Sequence, residues 1–390
     1  MGKKINDNIT WVGKTDWNIK KFHGNEYSTF KGTTYNSYLV RDEKTALIDT
    51  VWRPYADEFI ENLKQEIDLK DIDYIIANHA EVDHSGSLPR LMELIPDKPI
   101  YCTQGGIQSL KGHYHKDWNF LPVETGQKLS LGKKDLIFIE AMMLHWPDSM
   151  FCYLTGDNVL FSNDAFGQHY ANEQLYNDLV DQCELYVEAI KYYANILTPF
   201  SRLVIQKIDE LKSLDVPVDM ICPSHGVIWR DDPMQIVNKY MDWANDYQED
   251  RVLILYDTMW GGTALLADAL KEGIQDKAEV KIMRVSTADK SDMITEVFRS
   301  KIVLFGSPTV NAGILSLMAA ILEQVKGMKF KDKKAASFGC FGWSGESIEV
   351  MNNLIKEAGL ELINNGYSCL WEPDGDILKR AKDFAGGLIK

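Results

Sequence analysis

The sequence predicts two α/β domains: helices packed outside two sheets over residues 1–249, then a doubly wound parallel sheet over residues 250–390. Three observations predict it. A chain of 390 residues exceeds what one ordinary core organises. In the first part, short apolar runs come in groups, with helical patterns between the groups, as when helices cover paired sheets. From Arg251 the rhythm becomes strict strand, loop, helix alternation, and parallel strands need such crossovers. The polar stretch WANDYQED, residues 243 to 250, has no apolar period and marks the junction.

Taken in order, NSYLVRD and KTALIDTV read as strands, EFIENLKQEI as a helix and DYIIA as a buried strand. PIYC, DLIFIEA, MFCYLTG and NVLFSND follow as strands, QCELYVEAIKYYANIL as a helix and VDMICPS as a strand. Beyond the junction, RVLILY, EVKIMRV, KIVLFG and KKAASFG each precede a helical pattern. LELINNGYSCLW reads as a last strand before the helix DILKRAKDFAGGLI. No internal repeat or low-complexity tract interrupts this order.

The composition, 45% hydrophobic and 25% charged, is that of a globular protein, and the formal charge of -15 disfavours nucleic acid and anionic membrane as partners. No stretch is long and apolar enough to span a bilayer, and MGKKINDNIT lacks the apolar core of a secretory signal. The six cysteines (Cys102, Cys152, Cys183, Cys222, Cys340, Cys369) stand singly, with no CxxC. That pattern suits reduced thiols in a cytoplasm and excludes a rubredoxin-type iron site within this chain.

Directly after DYIIA, the stretch NHAEVDHSG places His79, Glu81, Asp83 and His84 in six consecutive positions. Further ligands are expected in other loops that leave buried strands, because strand ends converge on one edge and can be held rigidly there. His145 follows DLIFIEAMML, Asp164 follows NVLFSN and His225 follows VDMICPS. A lone histidine is more often a satisfied core or surface residue; four ligand-type residues in one turn are not explained that way. Seven ligands serve two metals if one carboxylate bridges.

HxExDH followed by single His, Asp and His at strand ends resembles the metallo-β-lactamase fold, an αββα sandwich, in the version used by flavodiiron proteins. The phrases LHWPDSMF, NDAFGQH and PSHG resemble the same family. The resemblance implies that one iron takes His79, Glu81 and His145, that a second takes Asp83, His84 and His225, and that Asp164 bridges them. Zinc hydrolases of this fold usually carry histidine where Glu81 stands. Mixed imidazole and carboxylate donors suit iron, and zinc, having no redox chemistry, would gain nothing from a flavin. His23, Trp146, His169 and Tyr193 are candidates for orienting ligands or moving protons. His113 and His115, in KGHYHKD, read as a solvated helix end.

RVLILYDTMWGGT sets Thr258, Met259, Trp260, Gly261, Gly262 and Thr263 between a buried strand and a helix. Hydroxyls and unpaired N–H groups at a helix N-terminus favour a phosphate. The spacing resembles the flavodoxin phosphate loop, with Trp260 where that loop commonly has threonine. Two later loops, GSPTVNAG and GCFGWSGES, follow the third and fourth strands. In a flavodoxin-like sheet these ends meet at the topological switch point. The resemblance therefore implies FMN, with Ser307, Pro308, Thr309, Val310 and Asn311 on one side of its ring and Gly342, Trp343, Ser344 and Gly345 on the other.

Taken over the chain, the resemblance implies a flavodiiron oxidoreductase in its two-domain form, with no rubredoxin extension. It would reduce O2 to water, NO to N2O, or both, with O2 placed first. It also implies a donor such as rubredoxin or a reduced deazaflavin, and a head-to-tail homodimer or dimer of dimers. The alternative is a zinc hydrolase of the same fold fused to a flavodoxin module; a third reading is an electron carrier with a degenerate metal site.

Overall fold

The computed structural model describes residues 2–389. The chain forms two compact units. The first takes the chain up to Phe22 together with Thr29–Tyr192 and Phe200–Met241; the second takes His23–Ser28, Tyr193–Pro199 and the chain from Asp242 onward.

In the first unit a seven-stranded sheet runs in the order Lys3–Lys4, Ile9–Trp11, Tyr38–Arg41, Thr45–Ile48, Tyr74–Ile76, Ile100–Cys102, Phe120–Pro122. The first four strands are antiparallel to their neighbours; from Thr45–Ile48 onward the pairing is parallel. A second sheet of five strands runs Lys128–Ser130, Asp135–Glu140, Met150–Leu154, Val159–Asn163, Met220–Pro223. Ile48 and Ile76 of one sheet share a single buried cluster with Phe138, Cys152, Phe161 and Cys222 of the other. The sheets therefore pack face to face, and helices such as Ala56–Glu66, which buries Phe59, Ile60 and Leu63 along one stripe, cover the outside.

Register decides where the chemistry emerges. Val159–Asn163 and Met220–Pro223 are parallel, with Asn163 opposite Pro223, so the next residues, Asp164 and Ser224 with His225, leave the sheet at one edge. In the other sheet Ile48 pairs with Ile76 in parallel, which brings Asp49 beside the chain entering His79. The Asn78 N–H donates to Asp49 Oδ1 at 2.7 Å and fixes that exit.

The second unit has a parallel sheet in the order Glu279–Arg284, Glu249–Tyr256, Ser300–Gly306, Lys334–Phe341, Glu361–Leu362, with Tyr367–Leu370 also on Lys334–Phe341. Strand order reverses about Glu249–Tyr256, which creates a crevice at the C-terminal strand ends. One expectation is corrected here: LELINNGYSCLW is two short strands. Asn364 Oδ1 accepts from the Gly366 N–H at 2.8 Å, and Gly366 has φ 89°, so an Asx turn interrupts the strand. The two early segments join this unit through side chains: Asn195 Nδ2 donates to Ser291 O at 3.1 Å, and the Ser28 N–H donates to Ser291 Oγ at 3.1 Å. Among the described residues no helix is long and apolar enough to cross a membrane.

Candidate functional site

The turn after Tyr74–Ile76 is held from three sides. Ser85 Oγ donates to Ala80 O at 2.6 Å, Thr50 Oγ1 donates to His84 O at 2.7 Å, and the Ala80 N–H donates to Asp148 Oδ2 at 2.7 Å. Val82–Ser85 closes into one helical turn, which sets Asp83 and His84 side by side.

All seven carboxylate and imidazole residues singled out in the sequence are brought into two adjoining groups. The donor atoms of His79, Glu81, His145 and Asp164 lie within 4.8 Å of one another, as do those of Asp83, His84 and His225. In the first group His145 Nε2 lies 3.4 Å from Glu81 Oε2 and 3.3 Å from Asp164 Oδ2, and His79 Nε2 lies 3.3 Å from Glu81 Oε2. In the second, His84 Nε2 lies 3.1 Å from Asp164 Oδ1 and 3.2 Å from Asp83 Oδ2, and His225 Nε2 lies 3.0 Å from Asp83 Oδ2. Ligands about 2.1 Å from a common ion stand about 3.0–3.5 Å apart, so these spacings are those of edges around two ions. Asp164 turns one oxygen to each group.

The donors are also buried and unsatisfied in the way an ion requires. His79 Nε2, His84 Nε2, Asp83 Oδ1 and both Asp164 oxygens are buried without a hydrogen bond. Burial by itself would lower the pKa values of His79, His84 and His145, yet the facing carboxylates raise them. His84 is pushed up to about 9, and His79 is raised through Asp148 and Glu81. The negative charge of Glu81, Asp83 and Asp164 is what raises these imidazoles, and it is the charge that cations would neutralise.

Two imidazoles are aimed by their other nitrogen. His225 Nδ1–H donates to Thr34 O at 2.6 Å and His79 Nδ1–H donates to Asp148 Oδ2 at 2.8 Å, so in both the Nε2 lone pair faces the cluster. Asp148 is buried, and the His79 imidazole holds its carboxyl below the ordinary range although burial opposes this. Sequence reasoning missed Asp148, although the P-D-S that follows His145 and Trp146 was its signal. Replacing it (Asp148→Asn) leaves the shape but removes the anionic partner. Metal affinity is expected to fall about 10–100-fold, read by chelator competition against the parent protein.

The four other candidates separate. Trp146 stands edge-on to His79, centroids 5.2 Å apart, and stacks on His113 at 6.1 Å; His113 itself is exposed in the last turn of the helix Gln104–Tyr114. His169 Nδ1 bonds Thr33 Oγ1 at 2.8 Å, and its ring lies 4.8 Å from His225. His23 is instead an exposed turn residue of the second unit with φ 51°. Tyr193 packs in the second unit against Trp243 and Phe298. The tyrosine beside the cluster is Tyr192, 6.3 Å from the His225 ring, whose phenol is pushed well above its ordinary range by burial and by Asp164.

In the second unit a cavity of about 770 Å³ opens at the strand ends. Thr258, Met259, Trp260, Gly262, Thr263, Pro308, Thr309, Val310, Asn311, Gly342, Trp343 and Ser344 line it, and so do Cys340, Phe341, Trp371 and Glu372, which sequence reasoning did not include. Gly261, Ser307 and Gly345 do not line it. Gly261 is a left-handed cap with φ 98°, Ser307 is buried with Oγ accepting from the Leu315 N–H at 3.0 Å, and Gly345 caps the helix Glu346–Glu357. Thr263 Oγ1, in the first turn of Gly262–Ile274, is buried without an oxygen or nitrogen partner among the described residues. An orphaned hydroxyl at a helix N-terminus fits a phosphate. Thr263→Val is expected to weaken FMN binding about tenfold, measured by fluorescence titration of the flavin-free protein.

Residues 33–226 match the ODP family beta lactamase and residues 254–381 match Flavodoxin. An anaerobic nitric oxide reductase flavorubredoxin of Klebsiella pneumoniae is 53% identical over the whole chain, which spans 82% of that protein; the Escherichia coli K12 counterpart is 52% identical with the same coverage. Among solved structures, the rubredoxin oxygen:oxidoreductase of Desulfovibrio gigas superposes with a TM-score of 0.96 at 37% identity, covering 99% of this chain and 97% of that one. The flavodiiron protein of Giardia intestinalis gives 0.95 at 31% identity, covering 100% and 96%.

Proposed function

The chain belongs to the flavodiiron protein family, and from that premise we propose how its residues divide the work. It is an oxidoreductase with a non-haem diiron centre and FMN, acting on NO or O2. One iron would be held by His79, Glu81 and His145 and the other by Asp83, His84 and His225, with Asp164 shared between them. The observation that carries this reading is the two-sided seating of Asp164, with Oδ2 at 3.3 Å from His145 Nε2 and Oδ1 at 3.1 Å from His84 Nε2.

Bound there, the irons supply the redox chemistry at the substrate, and FMN supplies further electrons. The chain's own share is positional. Asp148 and the Thr34 carbonyl fix two imidazoles. Phe22 and Tyr192 crowd the His225 side at 5.7 and 6.3 Å between rings, which excludes water. Tyr192, kept protonated, offers an O–H donor beside the bridging carboxylate.

We propose NO as the preferred substrate. The sequence reading put O2 first; the higher identity to relatives named anaerobic nitric oxide reductases, 53% against 37% for the oxygen:oxidoreductase, weighs the other way. The test is anaerobic NO consumption with N2O quantified by gas chromatography, beside O2 uptake under the same donor. Faster turnover of NO supports the proposal, and faster turnover of O2 reverses it.

A rubredoxin-type donor is proposed from the names of the same relatives, a flavorubredoxin and a rubredoxin oxygen:oxidoreductase. The metal-ligand residues and the flavin cavity belong to different units, and the cavity rim carries Trp260 at 96% and Trp343 at 89% exposure. An apolar rim of this kind suits coverage by a second copy, head to tail. Light scattering on the eluting protein distinguishes a dimer or dimer of dimers from a monomer. A cytoplasmic setting is proposed from six cysteines, none of them in a disulfide.

A further inference from the structure

Cys340 and Cys369 face each other on neighbouring parallel strands, as register partners of Lys334–Phe341 and Tyr367–Leu370. Their sulfurs are 3.3 Å apart, both side chains are buried, and Cys340 lines the flavin cavity. A Cβ added to Gly262 would come 3.2 Å from Cys340 Sγ, so the phosphate-loop glycine opens directly onto this thiol. The other four cysteines lie outside this cavity, and none is in a disulfide.

We propose that Cys340 and Cys369 form a dithiol/disulfide couple in the floor of the flavin cavity, a two-electron store beyond the irons and the flavin. Three observations carry it. Strand neighbours stand about 4.8 Å apart, inside the Cα separation that disulfides tolerate. The sulfurs need approach by only about 1.3 Å to reach bonding distance, within what side-chain torsions supply without moving the strands. The pair is also chemically asymmetric: the hydrogen bond between the sulfurs lowers the Cys369 thiol and, together with burial, raises that of Cys340. Cys369 is therefore the more acidic of the two thiols.

The step balances with the family's own cofactor as oxidant. Two S–H bonds break, one S–S bond forms, and two electrons and two protons leave to a two-electron acceptor; FMN bound in the cavity would supply that acceptor, and a two-electron donor would reverse the step. Thiol pairs in a reducing compartment, where they form disulfides at all, are of this transient kind rather than structural.

The test is an anaerobic reductive titration of the oxidised holoprotein beside Cys369→Ser, with iron and flavin quantified in each sample. The parent should take up about two electron equivalents per chain more than the variant at equal iron and flavin content. Mass spectrometry of the denatured, alkylated oxidised protein should recover Cys340 and Cys369 as one cross-linked peptide pair. Equal uptake by the two proteins, with both cysteines alkylated, overturns the proposal. A parallel poise of flavin-free protein with oxidised and reduced dithiothreitol isolates the sulfur chemistry. Cross-linking there supports the couple even if flavin loading fails; two free thiols there overturn it.

Discussion

Asp164→Ala lowers NO and O2 reduction on the order of a hundredfold or more while the protein still binds FMN. The physical reason is the position of this carboxylate. Its two oxygens divide between the groups, Oδ2 within 3.6 Å of His79 and His145 and Oδ1 within 3.5 Å of His84 and His225. Alanine removes one donor from each ion and leaves their mutual repulsion unscreened. Iron content is expected to fall with activity, whereas flavin absorbance, which depends on loops of the second unit, stays. Steady-state rates and elemental analysis on one preparation read both. Undiminished turnover with full iron content would mean that Asp164 does not bridge.

Gly226→Ala has the largest expected effect on folding. Gly226 has φ 75°, and an added Cβ would lie 1.5 Å from Gln168 Oε1 and 2.4 Å from the Gln168 carbonyl oxygen. That side chain cannot simply swing away, because Gln168 Oε1 accepts from the Val227 N–H at 2.6 Å and so anchors the loop. The Gly226 N–H also donates to Thr34 Oγ1 at 2.7 Å, next to the carbonyl that orients His225. Left-handed strain plus overpacking is expected to cost about 3 kcal/mol or more. It should be read as a lower melting temperature, with reduced iron content from a displaced His225. A melting temperature equal to that of the parent would refute this account of the loop.

The cluster was legible because four of its members share one short turn, so covalent spacing alone brought them together. The remaining three were legible because each follows a buried strand: parallel register, Asn163 opposite Pro223, delivers Asp164 and His225 to one edge, and Asp135–Glu140, antiparallel to Met150–Leu154 and so running with Val159–Asn163, sends the chain toward His145 off the same edge. Asp148 was not legible in this way, since its role exists only after the loop behind His145 folds back onto His79. The choice between Tyr192 and Tyr193 turned on helix phase. Leu185, Ala189 and Tyr192 are buried at helical spacing, and the helix changes to a π turn at Tyr193, which sends the next ring to Trp243. That stripe could be read in the sequence; the π turn could not.

In the second unit the strand rhythm pointed to the parallel sheet and to three of the four segments that line the cavity. Trp371 and Glu372 were missed because LELINNGYSCLW was read as continuous, although its Asn-Gly pair is a turn signal. The joining of His23–Ser28 and Tyr193–Pro199 to this unit rests on side-chain contacts far apart in the chain, such as Asn195 with Thr295 at 3.0 Å, and carries no local pattern.

The most direct test of the central claim, that seven residues of the first unit hold a diiron centre, is elemental analysis of the purified protein for iron and zinc. The account predicts about two irons per chain with negligible zinc. Zinc that persists after expression in iron-rich medium, or a single metal per chain, would contradict it.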